Sequence, residues 1–558
     1  MFRENDEHIQ CDLFGFEMGF DEQKSKSFKE SAEFIFYENI FCNIREEDFS
    51  VLYDEEHGRP NAPVNCMVAA LMLMTANEWT YEELKSNIDF NLLSRKAIGL
   101  QDINETPFAL STLFYFQNKI LDHYIAMGIN LLEKVYDYLT EEQKKKLKVK
   151  TDIQRMDSFM VMTNIRNYSR LQLIIEGIIR FHRILKGKDG KEFIEKYGEY
   201  VKQSSGQYIY RLQKKDISHE IEKIGILYSK IIEKYGKKYS ESLEFSILTR
   251  IFSEHFSLNG EKVEVIPNEQ IKGGTLQSPD DIEATYRNKN GQKSKGYSIC
   301  VAETANPDNQ LNLITDINVR ANNVDDSEML NERLEIIKEK APDLDEFHTD
   351  GGFGSEANDI IMEKLGINHV QTAVKGCGTY EIIDIKKRKN GKDYYVECPY
   401  QKQKAAITKE KYKATFDNSQ CMNCELKNNC PTIVQKDGRG YYFNHADYLR
   451  LKRINNIKKL PRKRRSLRAN VEATAMEFEN KLTDGKLKTR GYFKALVFAF
   501  ASAMMINFGR IYRYIMDRYK NEGILMSKID FLLKFYEFII NFIENLFIHK
   551  KNKAIFNI

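Results

Sequence analysis

The sequence has almost no net charge of either sign: 84 Lys and Arg stand against 81 Asp and Glu, a formal +3 over 558 residues. No uniform basic or acidic field follows from that balance, so a surface for a charged partner has to be read locally. A long apolar run is also missing. The longest, Ala495 to Phe508, is too short and too polar to span a bilayer. The apolar segment from Phe531 to Phe547 carries Lys534, Glu537 and Glu544 and reads as a buried amphipathic helix. No membrane partner is expected. The N-terminus, Met1 to Gln10, is polar and acidic, unlike a secretory leader. Cysteines are few and odd in number, nine, with five scattered singly. That excludes a disulfide framework and fits a reducing cytoplasm.

What is present is a chain of 65.3 kDa, too long for one core, with a 42% hydrophobic share that supports packed domains. Residues 1–147 read as helical: an apolar stretch from Val64 to Ala76 after Pro60 and Pro63, a helix opened by Thr80 as cap, and a third run from Ser111 to Tyr138. Asp157 sits in a short predicted strand within Lys148 to Asn164. A helical insertion over 170–284 follows, ended by Gly273, Gly274 and Pro279. Strands are predicted at Tyr297 to Glu303 and Leu311 to Val319, joined as a hairpin through Asn306, Pro307 and Asp308. Then come a helix from Ser327, a strand at Leu344 to Thr349, a helix at Glu356 to Leu365 and a strand at Val370 to Val374. The class is α/β: a mixed-sheet core over 148–169 and 285–380, preceded by an all-α domain. Residues 381–445 form a cysteine-containing insertion. Helices follow, over 446–511 and 512–558, with Tyr448 to Glu479 read as strongly helical.

Three motifs carry candidate chemistry. Asp350, in His348-Thr349-Asp350-Gly351-Gly352, ends a predicted strand and is followed by glycines, which puts a carboxylate on a sheet rim with backbone open to a ligand. An Asp-Gly-Gly turn without chemistry reads the motif as well. Asp157 precedes an apolar strand, and Asp152, five residues earlier, would face the other side. Arg468 and Glu472 stand four apart and share a helical face, as an ordinary surface ion pair also would. Before them lies the densest basic run in the chain, Arg462, Lys463, Arg464 and Arg465, which suits phosphate contact. Separately, Cys398, Cys421, Cys424 and Cys430 have the ligand set of a structural zinc site, with four free thiols as the alternative; Cys377 is left out.

Taken in order, "RMDSFMVMTNIR", "HTDGGFGS" and "RANVEATAMEFENKL" resemble the segments around the Asp, Asp and Glu of bacterial insertion-sequence DDE transposases. The stretch "RPNAPVNCMVAALMLMTANEWTYEELKSNI" resembles the helical N-terminal domain of that family. The likeness runs from about Glu56 to about Arg510. It implies a ribonuclease-H-like core, with the helical N-terminal domain binding DNA. It implies cutting and rejoining of DNA at terminal inverted repeats through two Mg²⁺ or Mn²⁺ ions, with double-stranded DNA as partner. Asp157 would bridge both ions, Asp350 would bind one and Glu472 the other, and Arg468 would orient a phosphate or Glu472. Zinc-binding cysteines between the second Asp and the Glu fit the same family. A homodimer or higher assembly in the bacterial cytoplasm, on the nucleoid, is the matching expectation. The sequence departs from the family in its basic helpers: Arg465 and Glu479 stand where a Tyr and a Lys are usual, with Lys481 or Lys486 as substitutes. A ribonuclease-H-like nuclease without strand transfer, or a non-catalytic DNA-binding descendant, are the competing functions.

Overall fold

Pro63 caps the helix Val64–Ala76, fixing its start where the sequence predicts it. The next helix, Tyr81–Phe90, opens on a reciprocal cap: the Glu83 amide donates to Thr80 Oγ1 at 3.2 Å, and the Thr80 amide donates to Glu83 Oε2 at 2.7 Å. The single helix expected from Ser111 to Tyr138 is instead two, Leu110–Met127 and Leu131–Leu147. Gly128 turns left-handed at φ 70°, and Asn130 caps the second helix by accepting from the Leu132 amide at 3.1 Å. The computed structural model describes residues 1–9, 15–260, 262–289, 291–372, 382–388, 393–408, 411–436 and 438–522. Cys377, Val374 and the apolar segment from Phe531 to Phe547 lie outside these residues.

The sheet that follows is built around strand β1 (Ile153–Met162). Beyond it come a small hairpin, β2 (Phe256–Asn259) with β3 (Lys262–Val265), and then β4 (Thr285–Lys289), β5 (Gln292–Thr304) and β6 (Ile314–Ala321). Strands β7 (Glu346–Thr349) and β8 (Asn368–Gln371) complete the set. Across the sheet the order is β6, β5, β1, β7, β8, with β4 pairing the first part of β5. Strand β5 runs antiparallel to β1 and β6, while β7 and β8 run parallel to β1, so the sheet is mixed. Strand β4 was not expected because its residues are polar, and the β2–β3 hairpin because its short alternation, Phe256 with Leu258 and Val263 with Val265, lies in a stretch read as a helical insertion.

Alternation along β1 decides what covers each face. Met156 turns towards Cys300, Ala302, Phe347 and the helices Asp326–Lys340 and Glu356–Leu365. Ile153 packs with Ala305 and Leu467, and the Phe159 ring lies 5.2 Å from that of Phe478. The second face therefore meets the segment that carries Arg468 and Glu472.

The insertion after β1 has its own core of aliphatic and aromatic side chains from Leu171 to Leu276. Its helices include Arg170–Ile184, Ile217–Tyr239 and Leu243–His255. The cysteine-containing region is not irregular: β9 (Asp384–Lys387), β10 (Tyr394–Glu397) and β11 (Lys402–Lys404) form one small sheet. Strands β12 (Ala406–Ile407), β13 (Tyr412–Phe416), β14 (Ile433–Gln435) and β15 (Gly438–Phe443) form another. The helix expected from Tyr448 to Glu479 is broken. His445–Lys459 stops before Pro461, two short 3₁₀ turns follow, and the helix Val471–Glu479 starts afresh.

The apolar run at Ala495 belongs to a longer helix than the sequence suggests, Tyr492–Glu522. Over Tyr492–Arg518 it is long and apolar enough to cross a membrane by length and composition, yet 78% of its apolar window is buried. Ala495, Ala499 and Ala503 are fully buried, and Asn507 Oδ1 accepts from the Ile314 amide of β6 at 2.8 Å, which marks this part as a core helix. Residues Met1–Asn507 form one compact unit, and beyond it the described residues are the end of this helix, to Glu522.

Candidate active site

Strand β1 places Asp157 opposite Val301 of β5, near the middle of the sheet. Its Oδ1 accepts from the Ser158 amide at 2.9 Å and its Oδ2 from Arg468 Nη2 at 2.7 Å. Burial pushes the Asp157 carboxyl above the usual carboxylate range; the Arg468 hydrogen bond and charge oppose this, and the Asp350 charge adds to it. Asp350 follows the last residue of β7, the parallel neighbour of β1, and accepts from the Gly352 amide at 2.8 Å. Asp157 on β1 and Asp350 just past the end of the adjacent β7 are thus close enough for the Asp350 charge to act on Asp157.

Glu472 is in the first turn of the helix Val471–Glu479, with its side chain 64% exposed. Its Oε1 lies 3.4 Å from Arg468 Nη2, so one guanidinium nitrogen faces both Asp157 and Glu472. Burial works against the Arg468 charge, but Asp157, Asp350 and Glu472 together raise its pKa above the ordinary arginine value. The Asp157, Asp350, Glu472 and Arg468 expected from sequence therefore form one electrostatic cluster. They do not form a closed ligand cage: among the described residues, no group of three or more His, Cys, Asp or Glu is arranged to hold a metal ion.

A fourth carboxylate, unmarked by sequence reasoning, joins the site. Asp326, almost fully buried, accepts from Ser158 Oγ at 2.7 Å. A Cβ at position 352 would lie 3.0 Å from Asp326 Oδ2 and 3.2 Å from Asp350 Oδ1, so Gly352 fits between two acids. The only signal was Asp325-Asp326-Ser327 before a helical run, which reads as a cap. The open cleft here has a volume of about 680 Å³; Asp326, the Asp350 loop and Arg468 line it, with Arg287 of β4 and Arg450 of the helix His445–Lys459 also on its wall.

The basic run divides. Arg464 Nη2 donates to the buried Glu346 at 2.7 Å, and Glu346 also meets His348 Nε2 at 2.6 Å. Arg465 donates to the carbonyls of Leu460 and Lys458, each at 2.9 Å, closing the end of the preceding helix. Arg462 is exposed, and the Lys463 side chain lies outside the described residues. Of the substitute helpers, Lys481 has its pKa lowered by burial, with the charges of Glu477 and Glu78 opposing this. Lys486 is exposed. Asp152 sits just before β1, where Asn306 Nδ2 donates to it at 2.7 Å.

Cys398, Cys421, Cys424 and Cys430 line one small pocket, and three of them, Cys398, Cys421 and Cys430, pack on the core of the small sheets. The thiols are not disulfide-bonded, and Gln401 donates to both Cys398 Sγ at 3.3 Å and Cys421 Sγ at 3.4 Å. The structure brings these four residues to one place without closing a ligand shell around it.

Residues 391–512 match the family described as a transposase DDE domain. The match takes in the cysteines, the basic run, Arg468 and Glu472, and starts after Asp157 and Asp350; it supports a DDE transposase. No curated protein and no solved structure matches the chain.

Proposed function

We propose that the chain is a DNA transposase that cuts and rejoins DNA at the terminal inverted repeats of an insertion sequence, by metal-dependent phosphoryl transfer on a ribonuclease-H-like core. The observation that carries this reading is the Arg468 guanidinium, which binds Asp157 and responds to the charges of Asp350 and Glu472. Four residues from three distant parts of the chain meet in one cluster, and three of them are the acids of a DDE set. The sheet order, with Asp157 on the middle strand and Asp350 at the end of its parallel neighbour, supports the ribonuclease-H-like assignment.

The donor set fits a hard divalent cation, since Asp157, Asp350 and Glu472 offer only carboxylate oxygens and Mg²⁺ prefers such ligands while keeping waters. Bound there, such ions supply activation of an oxygen nucleophile and stabilisation of the alkoxide leaving group. The protein's own groups do the rest. Arg468 holds the Asp157 carboxylate in place and offers positive charge at the cluster. Arg287 and Arg450 line the cleft with cations suited to a phosphate backbone. The cysteine pocket is the proposed structural zinc site, held by Cys398, Cys421, Cys424 and Cys430.

The test is incubation of purified protein with duplexes made from the DNA flanking its gene, in Mg²⁺. Strand cleavage at the repeat ends is expected, with joining of the freed ends to a target duplex. Cleavage without joining would favour a plain nuclease, and binding without cleavage a non-catalytic descendant.

A further inference from the structure

We infer that Arg155 and Glu303 are positioning residues that set where Arg468 and Glu472 sit; this rests on the proposed cutting reaction. Arg155 is two residues before Asp157 on β1, so both side chains leave the same face of the sheet. Glu303 lies directly across from it on β5. Both are buried, with side-chain exposures of 5% and 0%. Arg155 Nε and Nη2 reach Glu303 Oε1 at 2.7 and 2.6 Å, and the register between β5 and β6 shifts at this residue.

The pair then holds the catalytic segment at two points. Arg155 Nη1 donates to the Leu467 carbonyl at 2.8 Å, and Glu303 Oε2 accepts from Thr474 Oγ1 at 2.8 Å. Between those two anchors lie Arg468, next to Leu467, and Glu472, two before Thr474. Glu472 is mostly exposed, and among the described residues its ion-pair partner is Arg468 at 3.4 Å, so its place depends on how its helix is pinned. A buried ion pair is a weak source of stability, since apolar residues of similar volume often do as well. What this one supplies is direction: Arg155 and Glu303 each bond both to the other and to the catalytic segment.

The test is Thr474→Val, which removes one anchor and keeps the side-chain shape. The lost hydrogen bond to a buried carboxylate costs about 1.5–3 kcal/mol, so folding of the variant is checked first by its melting curve. Single-turnover cleavage of flank-derived duplex at saturating protein is measured in Mg²⁺ and scaled to folded protein, alongside the Kd for the same duplex. The expected result is a rate reduced by about tenfold or more, as misplacement of a reacting group gives, with unchanged Kd and with recovery in Thr474→Ser. Should Thr474→Val fail to fold, Glu303→Gln is measured in the same way, with the same expectation for rate and Kd. A folded variant cutting at the wild-type rate overturns the inference, as does a loss that Thr474→Ser does not restore. If wild type cuts, Glu472→Gln does not, and Thr474→Val cuts normally, the positioning role fails while the cutting reaction stands. A wild-type protein that cuts no DNA overturns both.

Discussion

Arg468 donates to Asp157 at 2.7 Å although the two are 311 positions apart in the chain. The hydrogen bond joins the middle strand of the sheet to the turn before the helix of Glu472, and it makes one side chain report on the whole cluster. Its consequence for chemistry concerns protons. Asp157 is half-buried, desolvation raises its pKa, and Arg468 is the main group holding the charged form.

Asp157 must be ionised to bind a cation, so cleavage should rise with pH through its titration. Replacing Arg468 by Gln removes the favourable charge and should move that acid limb to higher pH. A pH–rate profile at saturating DNA measures the shift. An unmoved limb would separate Arg468 from the Asp157 proton.

The basic run should behave unevenly. Arg462→Glu should weaken DNA binding and flatten its dependence on salt, by a log–log slope of about 0.9 for each phosphate left unneutralised. Arg464→Ala should instead lower thermal stability, because it leaves the buried Glu346 short of a cation. Salt titrations and melting curves on both variants distinguish the roles. Equal weakening of DNA affinity with no change in melting would show Arg464 to be a phosphate ligand after all.

Zinc is expected at about one ion per chain if the four cysteines form one site. Cys421→Ser and Cys424→Ser should then lower folding stability along with zinc content. Metal analysis of soluble, active protein that finds no zinc would remove the zinc assignment and leave the carboxylates untouched.

His255 gives a stability prediction independent of catalysis. It is buried at the end of the helix Leu243–His255, neither ring nitrogen has a hydrogen-bond partner among the described residues, and burial, with Arg170 nearby, lowers its pKa to about 4. The unfolded chain takes up this proton near pH 6.5 and the folded chain only near 4. Stability from this residue is therefore complete above pH 6.5 and falls as pH drops towards 4, by a total of the order of 3 kcal/mol at 1.36 kcal/mol per unit. His255→Phe should lose less stability than wild type between these pH values in denaturant titrations. Identical pH slopes would contradict the assignment.

How far the sequence could be read follows from what each residue does locally. The helix Val64–Ala76 and the Thr80 cap were legible because Pro63, Thr80 and Glu83 act within a single turn. Strands β5 and β6 were legible from β-rich apolar runs, while Asp157, Asp350, Arg468 and Glu472 were singled out through the family resemblance of their motifs, each motif alone having an ordinary structural reading. The breaks at Gly128 and Pro461 were missed because strong helical patterning continues on both sides. Strand β4 is too polar to stand out. Asp326 was hidden because its meaning depends on Ser158, 168 positions away, while its own neighbours look like a helix cap. The pairing of Arg464 with Glu346 was hidden for the same reason, since a run of cations looks solvated until a buried acid is found beside it.

The most direct measurement is cleavage and binding of flank-derived duplex DNA in Mg²⁺ by Asp157→Ala, Asp350→Ala and Glu472→Ala. Asp152→Ala and Glu477→Ala serve as neighbouring controls. The expected result is loss of cleavage in all three with binding retained, because affinity comes mainly from Lys and Arg contacts to phosphate, and normal cleavage in both controls. Chelator should abolish the wild-type reaction, and Ca²⁺ should not support it. Wild-type cleavage by all three variants would contradict the carboxylate mechanism, and a dead Asp152→Ala beside an active Asp157→Ala would move the first carboxylate five residues along the chain.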